Sequence, residues 1–190
     1  METLIIILIL AAAVVLLAAG LVAWLTIRKK RSTNLREKFG PEYDYAMQVT
    51  GDKRAAEETL LEREKRVKQL AIQALDPDKF FQYKAEWDEI QADFVNKPSA
   101  SVEKANRLIT EVMVARGFPV EDFEQRAADI SVLYPEFVSN YRSAHAIALE
   151  SQQNGVSTEE LRQAMINYRV LFEELLETED APEKITANMN

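Results

Sequence analysis

From Leu4 to Ile27 the chain runs without one charged side chain, and most of those residues are Leu, Ile, Val and Ala. As a helix at about 1.5 Å per residue the run spans about 36 Å, enough to cross a hydrocarbon core of about 30 Å with some tilt. Trp24 stands near its end, where an indole ring suits a headgroup boundary, and Arg28-Lys29-Lys30-Arg31 follows at once. A cleaved secretory signal instead places its positive charges ahead of a shorter apolar stretch of about 7–15 residues. Ala18-Ala19-Gly20 has the small side chains of a cleavage site, but the length and charge order favour an uncleaved anchor. The expectation is a single-pass protein that touches membrane lipid through residues 4–27. Because basic flanks stay on the cytoplasmic side, its N-terminus should lie outside and its soluble part in the cytoplasm. Each basic residue near an anionic surface adds about 1 kcal/mol of attraction. Ala12, Ala19 and Ala23 share a face, and Ala19-x-x-x-Ala23 is a spacing that lets two helices approach, so a weak homo-oligomer is an open expectation.

Composition narrows the chemistry of the rest. Among 190 residues there is no cysteine and one histidine, His145. That excludes disulfide frameworks, zinc-thiolate and iron–sulfur sites, thiol nucleophiles and multi-histidine metal centres. Once Glu2 and the four-residue basic cluster are set aside, 19 basic residues face 30 acidic ones, a net charge of −11. Such a surface repels phosphate backbones and predicts no binding to nucleic acid. Its partners should be proteins with basic or apolar patches.

Glycine and proline divide the remaining chain into helical segments. The boundaries are Gly40-Pro41, Gly51, Pro77, Pro98, Gly117 with Pro119, Pro135, Gly155 and Pro182. The segments between them predict helices near 42–50, 53–72, 78–96, 99–116, 121–132, 135–153 and 158–177. Phe80, Tyr83, Trp87, Ile90 and Phe94 step by three and four residues, as do Leu161, Met165, Tyr168, Phe172 and Leu175. No segment alternates as a half-buried strand would. Asp52, Asp76 and Ser99 are plausible N-caps, and Ser157 with Glu160 has capping-box spacing. The fold class predicted is all-α: an N-terminal transmembrane helix with its basic flank (1–31), then a multi-helix bundle (32–177). An acidic tail at 178–190 should be disordered. Near 150 residues a chain buries about 68–70% of its unfolded surface, so one domain with a real core is affordable. Residues 53–69 are so densely charged that they read as a solvated connecting helix, as one partly packed on the bundle, or as a partner-binding or coiled-coil face.

No catalytic constellation emerges. The five glycines are all at least ten residues apart, so no loop can cradle a phosphate. Arg142, not glutamate, stands three residues before His145, which does not fit a di-iron bundle. His145 itself sits on the seam with Tyr141 and Ala148 and reads as a core residue. No cofactor or metal is expected, and no enzymatic role. The densest chemistry lies in a corner from Arg116 to Asp129. There Arg116, Phe118, Asp122, Phe123, Arg126 and Asp129 form either a packed turn held by ion pairs or a surface that a partner recognises. Arg126 is placed to pair with Asp122 or Asp129 across one helical turn.

Phe39-Gly40-Pro41-Glu42-Tyr43-Asp44, Thr50-Gly51-Asp52 and the Arg116–Asp129 corner occur together with Tyr141-Arg142-x-Ala144-His145 and Leu161-Arg162-Gln163-Ala164-Met165-x-x-Tyr168-Arg169. In combination they resemble a group of uncharacterised bacterial proteins with one N-terminal membrane helix and a helical domain. The resemblance covers most of residues 32–177 and implies an inner (plasma) membrane setting, but no activity. The reading favoured is a membrane-anchored helical interaction or scaffolding module. An envelope-facing stress or cell-wall domain and a bundle that binds a small ligand are the alternatives.

Overall fold

The computed structural model describes residues 2–119 and 122–177, with side chains from Leu16 onward. Among these residues the chain is helical throughout. Its helices are α1 (Glu2–Phe39), α2 (Pro41–Thr50), α3 (Lys53–Val67), α4 (Pro77–Asp93), α5 (Pro98–Ala115), α6 (Phe123–Leu133), α7 (Val138–Gln153) and α8 (Thr158–Leu176). The all-α class and six of the seven predicted bundle helices agree to within about three residues at each end. The tail expected at 178–190 lies outside the described residues.

Two compact units divide at Lys38–Phe39, seven residues beyond the boundary expected at 31. The first unit is built on α1, which continues unbroken through the basic cluster because Arg and Lys are good helix formers. Leu16, Leu17, Leu21, Val22, Trp24, Leu25 and Ile27 are all exposed on it, and the Arg28 guanidinium lies 5.4 Å from the Trp24 ring centre. Lys29, Lys30 and Arg31 are exposed too.

The expected single-pass placement in an inner membrane, with the N-terminus outside, is corrected here. Among the described residues no helix is long and apolar enough to cross a membrane. The apolar side chains described there run from Leu16 to Ile27, about 18 Å of helix rise against a core of about 30 Å. Side chains of the first half of the run, Leu4 to Val15, lie outside the described residues.

In the second unit, α8 packs against both α5 and α7, and α4 folds back on α5. Fully buried Leu108, Ile109, Val112, Tyr141, Tyr168, Leu171 and Leu175 form the centre. The stripe predicted on α4 meets α8 where Trp87 stacks on Phe172, with ring centres 4.5 Å apart. Each large apolar side chain buried this way contributes about 1.5–3 kcal/mol. The α2–α3 hairpin leans on α6 through α3 and on α7 through α2.

Helix ends follow local chemistry in most places. Asp52, Asp76 and Asp122 each accept a 2.9 Å bond from a backbone N–H of the first turn. Ser157 and Glu160 close a reciprocal capping box. Such caps are worth about 1 kcal/mol each. Ser99 is not a cap: α5 begins at Pro98, whose fixed φ suits the first helical position, so Ser99 already lies inside the first turn.

The largest departure is α3, expected to reach residue 72 but ending at Val67. Beyond it the backbone N–H of Gln73 donates to the Arg116 carbonyl at 2.9 Å, and Arg116 Nε donates to the Gln73 carbonyl at 3.3 Å. This tertiary pairing replaces the bonds that a further helical turn would have made. It also brings Ala71 so close to Gly117 (φ 94°) that a Cβ there would stand 2.5 Å from the Ala71 carbonyl oxygen. Gly117→Ala should therefore cost about 2–4 kcal/mol, from strain and clash together. Gly155→Ala, at φ 72° with open space around it, should cost only about 1 kcal/mol. Urea unfolding of the two variants checks the difference; equal losses would show that the close approach to Ala71 is unimportant.

Candidate functional site

The corner singled out from the sequence is mostly interior. Arg116, Phe118 and Asp129 are buried, Phe123 and Arg126 are half-buried, and only Asp122 is exposed, where it caps α6. Val120 and Glu121 of the same stretch lie outside the described residues.

Arg116 has no exposure at all. Its Nη1 donates to the Tyr134 hydroxyl at 2.6 Å and to the Leu175 carbonyl at 3.1 Å. Leu175 lies in the last turn of α8, whose free carbonyls carry a partial negative charge that favours a cation. The Tyr134 ring also faces the guanidinium at 5.6 Å. Arg116 thus fastens the loop after α3, the end of α6 and the end of α8.

A second polar cluster joins α2, α3, α6 and α7. Glu42, 2% exposed, accepts from Arg63 Nη1 at 2.6 Å and from Arg142 Nη2 at 3.0 Å. Arg63 also reaches Ser131 at 3.3 Å, and Arg142 extends to Glu124 and lies 4.1 Å from the Tyr45 ring centre. One turn away, Asp129 accepts from Arg66 Nε at 3.1 Å and from Gln125 Nε2 at 2.9 Å. Asp129 is thus reached from α3 by Arg66, a long-range contact beyond the one-turn pairing with Arg126 that the sequence suggested. Arg126 donates to the Tyr141 hydroxyl at 3.4 Å. Three arginines meet three carboxylates in this cluster, so its charges balance. Paired charges of this kind orient helices; Arg142 Nε is a buried donor of the cluster without a hydrogen bond among the described residues.

Arg63, Arg66 and Glu42 are the residues that sequence reasoning did not single out. A faint signal was present: Ala56, Leu60 and Val67 are buried and Arg63 falls at the same helical spacing. A charged residue at a core position of an otherwise apolar stripe implies a buried partner.

Within the core, the Tyr141 hydroxyl faces Arg126 and Thr110, and Tyr168 lies beside Tyr141 with ring centres 6.3 Å apart. Burial pushes both phenols above their ordinary range, and for Tyr168 the neighbouring Tyr141 adds to the effect. Both stay neutral donors at any physiological pH. His145 is half-buried, with its imidazole flat against the Phe123 ring. No group of three His, Asp or Glu side chains among the described residues is arranged to hold a metal ion.

One exposed feature of the second unit is a groove of about 430 Å³ between α4 and α5, lined by Glu86, Glu89, Ile90, Asp93, Lys104 and Arg107. At one end Lys104 pairs with Asp93 at 2.7 Å, and Arg107 with Glu103 at 3.4 Å. Glu86, Glu89 and Glu111 form no ion pair among the described residues. Partial burial raises the Glu86 carboxyl above its usual range, and the negative charges of Glu111 and Glu89 raise it further. Glu111 and Glu86 add to the effect of burial in raising the Tyr83 phenol. The pairing of 93 with 104 sets an antiparallel register that carries Val114 to the level of Tyr83. Val114 and the nearby Phe81 are exposed, 45% and 67% respectively.

No protein-family model, no curated protein and no solved structure matches this chain. Its chemistry is therefore read from its own geometry.

The two kinds of ion pair differ in what their loss should cost. Glu42→Ala strands two half-buried guanidinium groups and should destabilise the fold by about 3 kcal/mol. Glu124, 66% exposed in its pair with Arg142, should cost less than about 1 kcal/mol on replacement by alanine. Chemical denaturation of both variants reads the contrast.

Proposed function

We propose that this chain works as a protein-interaction module whose docking face is the α4–α5 groove. The observation that carries this reading is the set of carboxylates Glu86, Glu89 and Glu111, none of them in an ion pair among the described residues, while the cations beside them, Lys104 and Arg107, are engaged by Asp93 and Glu103. Like charges in one groove raise the free energy of the isolated protein, and a cationic partner relieves that repulsion on binding. Exposed Phe81 and Val114 at one end supply apolar area next to the charge, the mixture of core and polar rim found in interfaces.

The partner this face suits is a protein segment with two or three lysines or arginines beside an apolar side chain. The balanced ionic cluster between α2, α3, α6 and α7 supports a scaffolding role over a catalytic one, because it holds the helices in place. The apolar side chains exposed along Leu16–Ile27 are a second surface of the kind that larger assemblies cover.

The test is capture in living cells with a photo-crosslinking side chain at Ala92, which lines the groove. A protein joined reproducibly there should be lost when Glu86, Glu89 and Glu111 are replaced together by lysine. In purified form its affinity should fall about tenfold or more as salt is raised from about 0.05 to 0.5 M, because exposed charges are screened. Capture that survives the triple reversal would refute this face as the docking surface.

A further inference from the structure

The chain carries a single histidine and no cysteine, so between about pH 5.5 and 7.5 His145 is the one side chain whose ordinary titration falls in range. Its position joins two helices. The Phe123 ring, at the first residue of α6, lies flat on the imidazole of α7 with centres 3.6 Å apart and planes within 9°. His145 Nδ1 is buried and makes no hydrogen bond among the described residues.

The surroundings disfavour a second proton on this ring. From α6, Arg126 adds like charge, while Glu124 attracts but is already engaged by Arg142. Tyr141 on α7 and Tyr168 on α8 remain neutral. On α5 the register follows from Ser99 with Ser151 and Thr110 with Tyr141, which places Asn106 opposite His145. Asn106 Oδ1 is likewise without a partner among the described residues, so it is an acceptor that the imidazole does not reach while stacked on Phe123. An imidazolium held against a phenyl face gains about 0.5–1 kcal/mol. Burial and the Arg126 charge hold the imidazole below its usual pKa, and the buried Nδ1 has no acceptor in place for a second proton among the described residues.

We propose that the Phe123–His145 stack is a proton-sensitive latch, in which protonation of His145 detaches the first turn of α6 from α7 and uncovers the Phe123 ring. The neutral ring stays on Phe123; the charged ring leaves it for water or for Asn106 Oδ1. The sign follows from linkage. The open form binds the proton more tightly, so the closed form is fully favoured above about pH 6.5 and loses ground as pH falls. If the closed-form pKa lies one below the open-form value, the opening constant rises by up to about tenfold.

Two readouts on the full chain test this. The lone imidazole Cε1 proton gives one NMR resonance, whose midpoint should fall below about 6.5. Hydrogen exchange of the Arg126 and Ala127 amides, corrected for intrinsic rates, should speed up several-fold between about pH 7.5 and 5.5 with that same midpoint, while amides in the middle of α8 stay protected. His145→Gln, neutral at both pH values, should abolish the change. Unaltered α6 protection, or the same loss in His145→Gln, would overturn the latch. Should that variant fail to fold, the wild-type midpoints decide: a mismatch between resonance and exchange overturns it equally.

Discussion

A guanidinium with no access to water sits where three ends of the second unit meet. Arg116 would be a heavy burden if its donors were idle, since burying an unpaired charge costs several kcal/mol. Instead it serves the Gln73 carbonyl, the Tyr134 hydroxyl and the Leu175 carbonyl in the last turn of α8. The rest of the architecture depends on that arrangement. The loop after α3 is held extended, α6 stops against it, and α8 ends over it with a carbonyl neutralised by a full positive charge. Gly117 then has to lack a side chain, because the same loop passes over it.

Charge is sorted by place. Between α2, α3, α6 and α7 the arginines and carboxylates match in number and shield one another from water. Along α4 and α5, Glu86, Glu89 and Glu111 have no such partners, and the acidic excess of the chain becomes a local field. A protein can tolerate that repulsion on a surface, where the dielectric constant is high, but not in its core. The contrast separates a structural joint from an acidic surface. Near the joint, Phe123 and His145 add a contact whose strength varies with one proton.

Much of the secondary structure was legible because its causes are local. Gly51, Gly117 and Gly155 adopt positive φ at chain reversals, and Asp52, Asp76 and Ser157 cap the helices that follow. These features need only neighbours in sequence. The exceptions mark where distant parts intervene. Residues 68–72 have a helical pattern, yet α3 ends at Val67 and Gln73 just beyond them bonds to Arg116, more than forty positions away. The dense charge of α3 suggested solvent, but Arg63 and Arg66 point at Glu42 and Asp129 on other helices. The Arg116–Asp129 corner was visible as unusual chemistry. Which of its residues face inward was not, because a helical period does not say what lies opposite.

By itself the sequence determined the all-helical class, nearly every helix boundary in the second unit and the absence of cysteine chemistry, since each depends on residue type and short-range spacing. Only the tertiary structure decided that Arg116 is interior, that Arg66 reaches Asp129, that Glu42 is gripped from two sides, and that Glu86 and Glu89 line one groove with Glu111 close enough to act on Glu86. Those facts depend on the order in which helices pack and on their registers. Packing order is set by the summed burial of many faces, and no single stretch of chain encodes it.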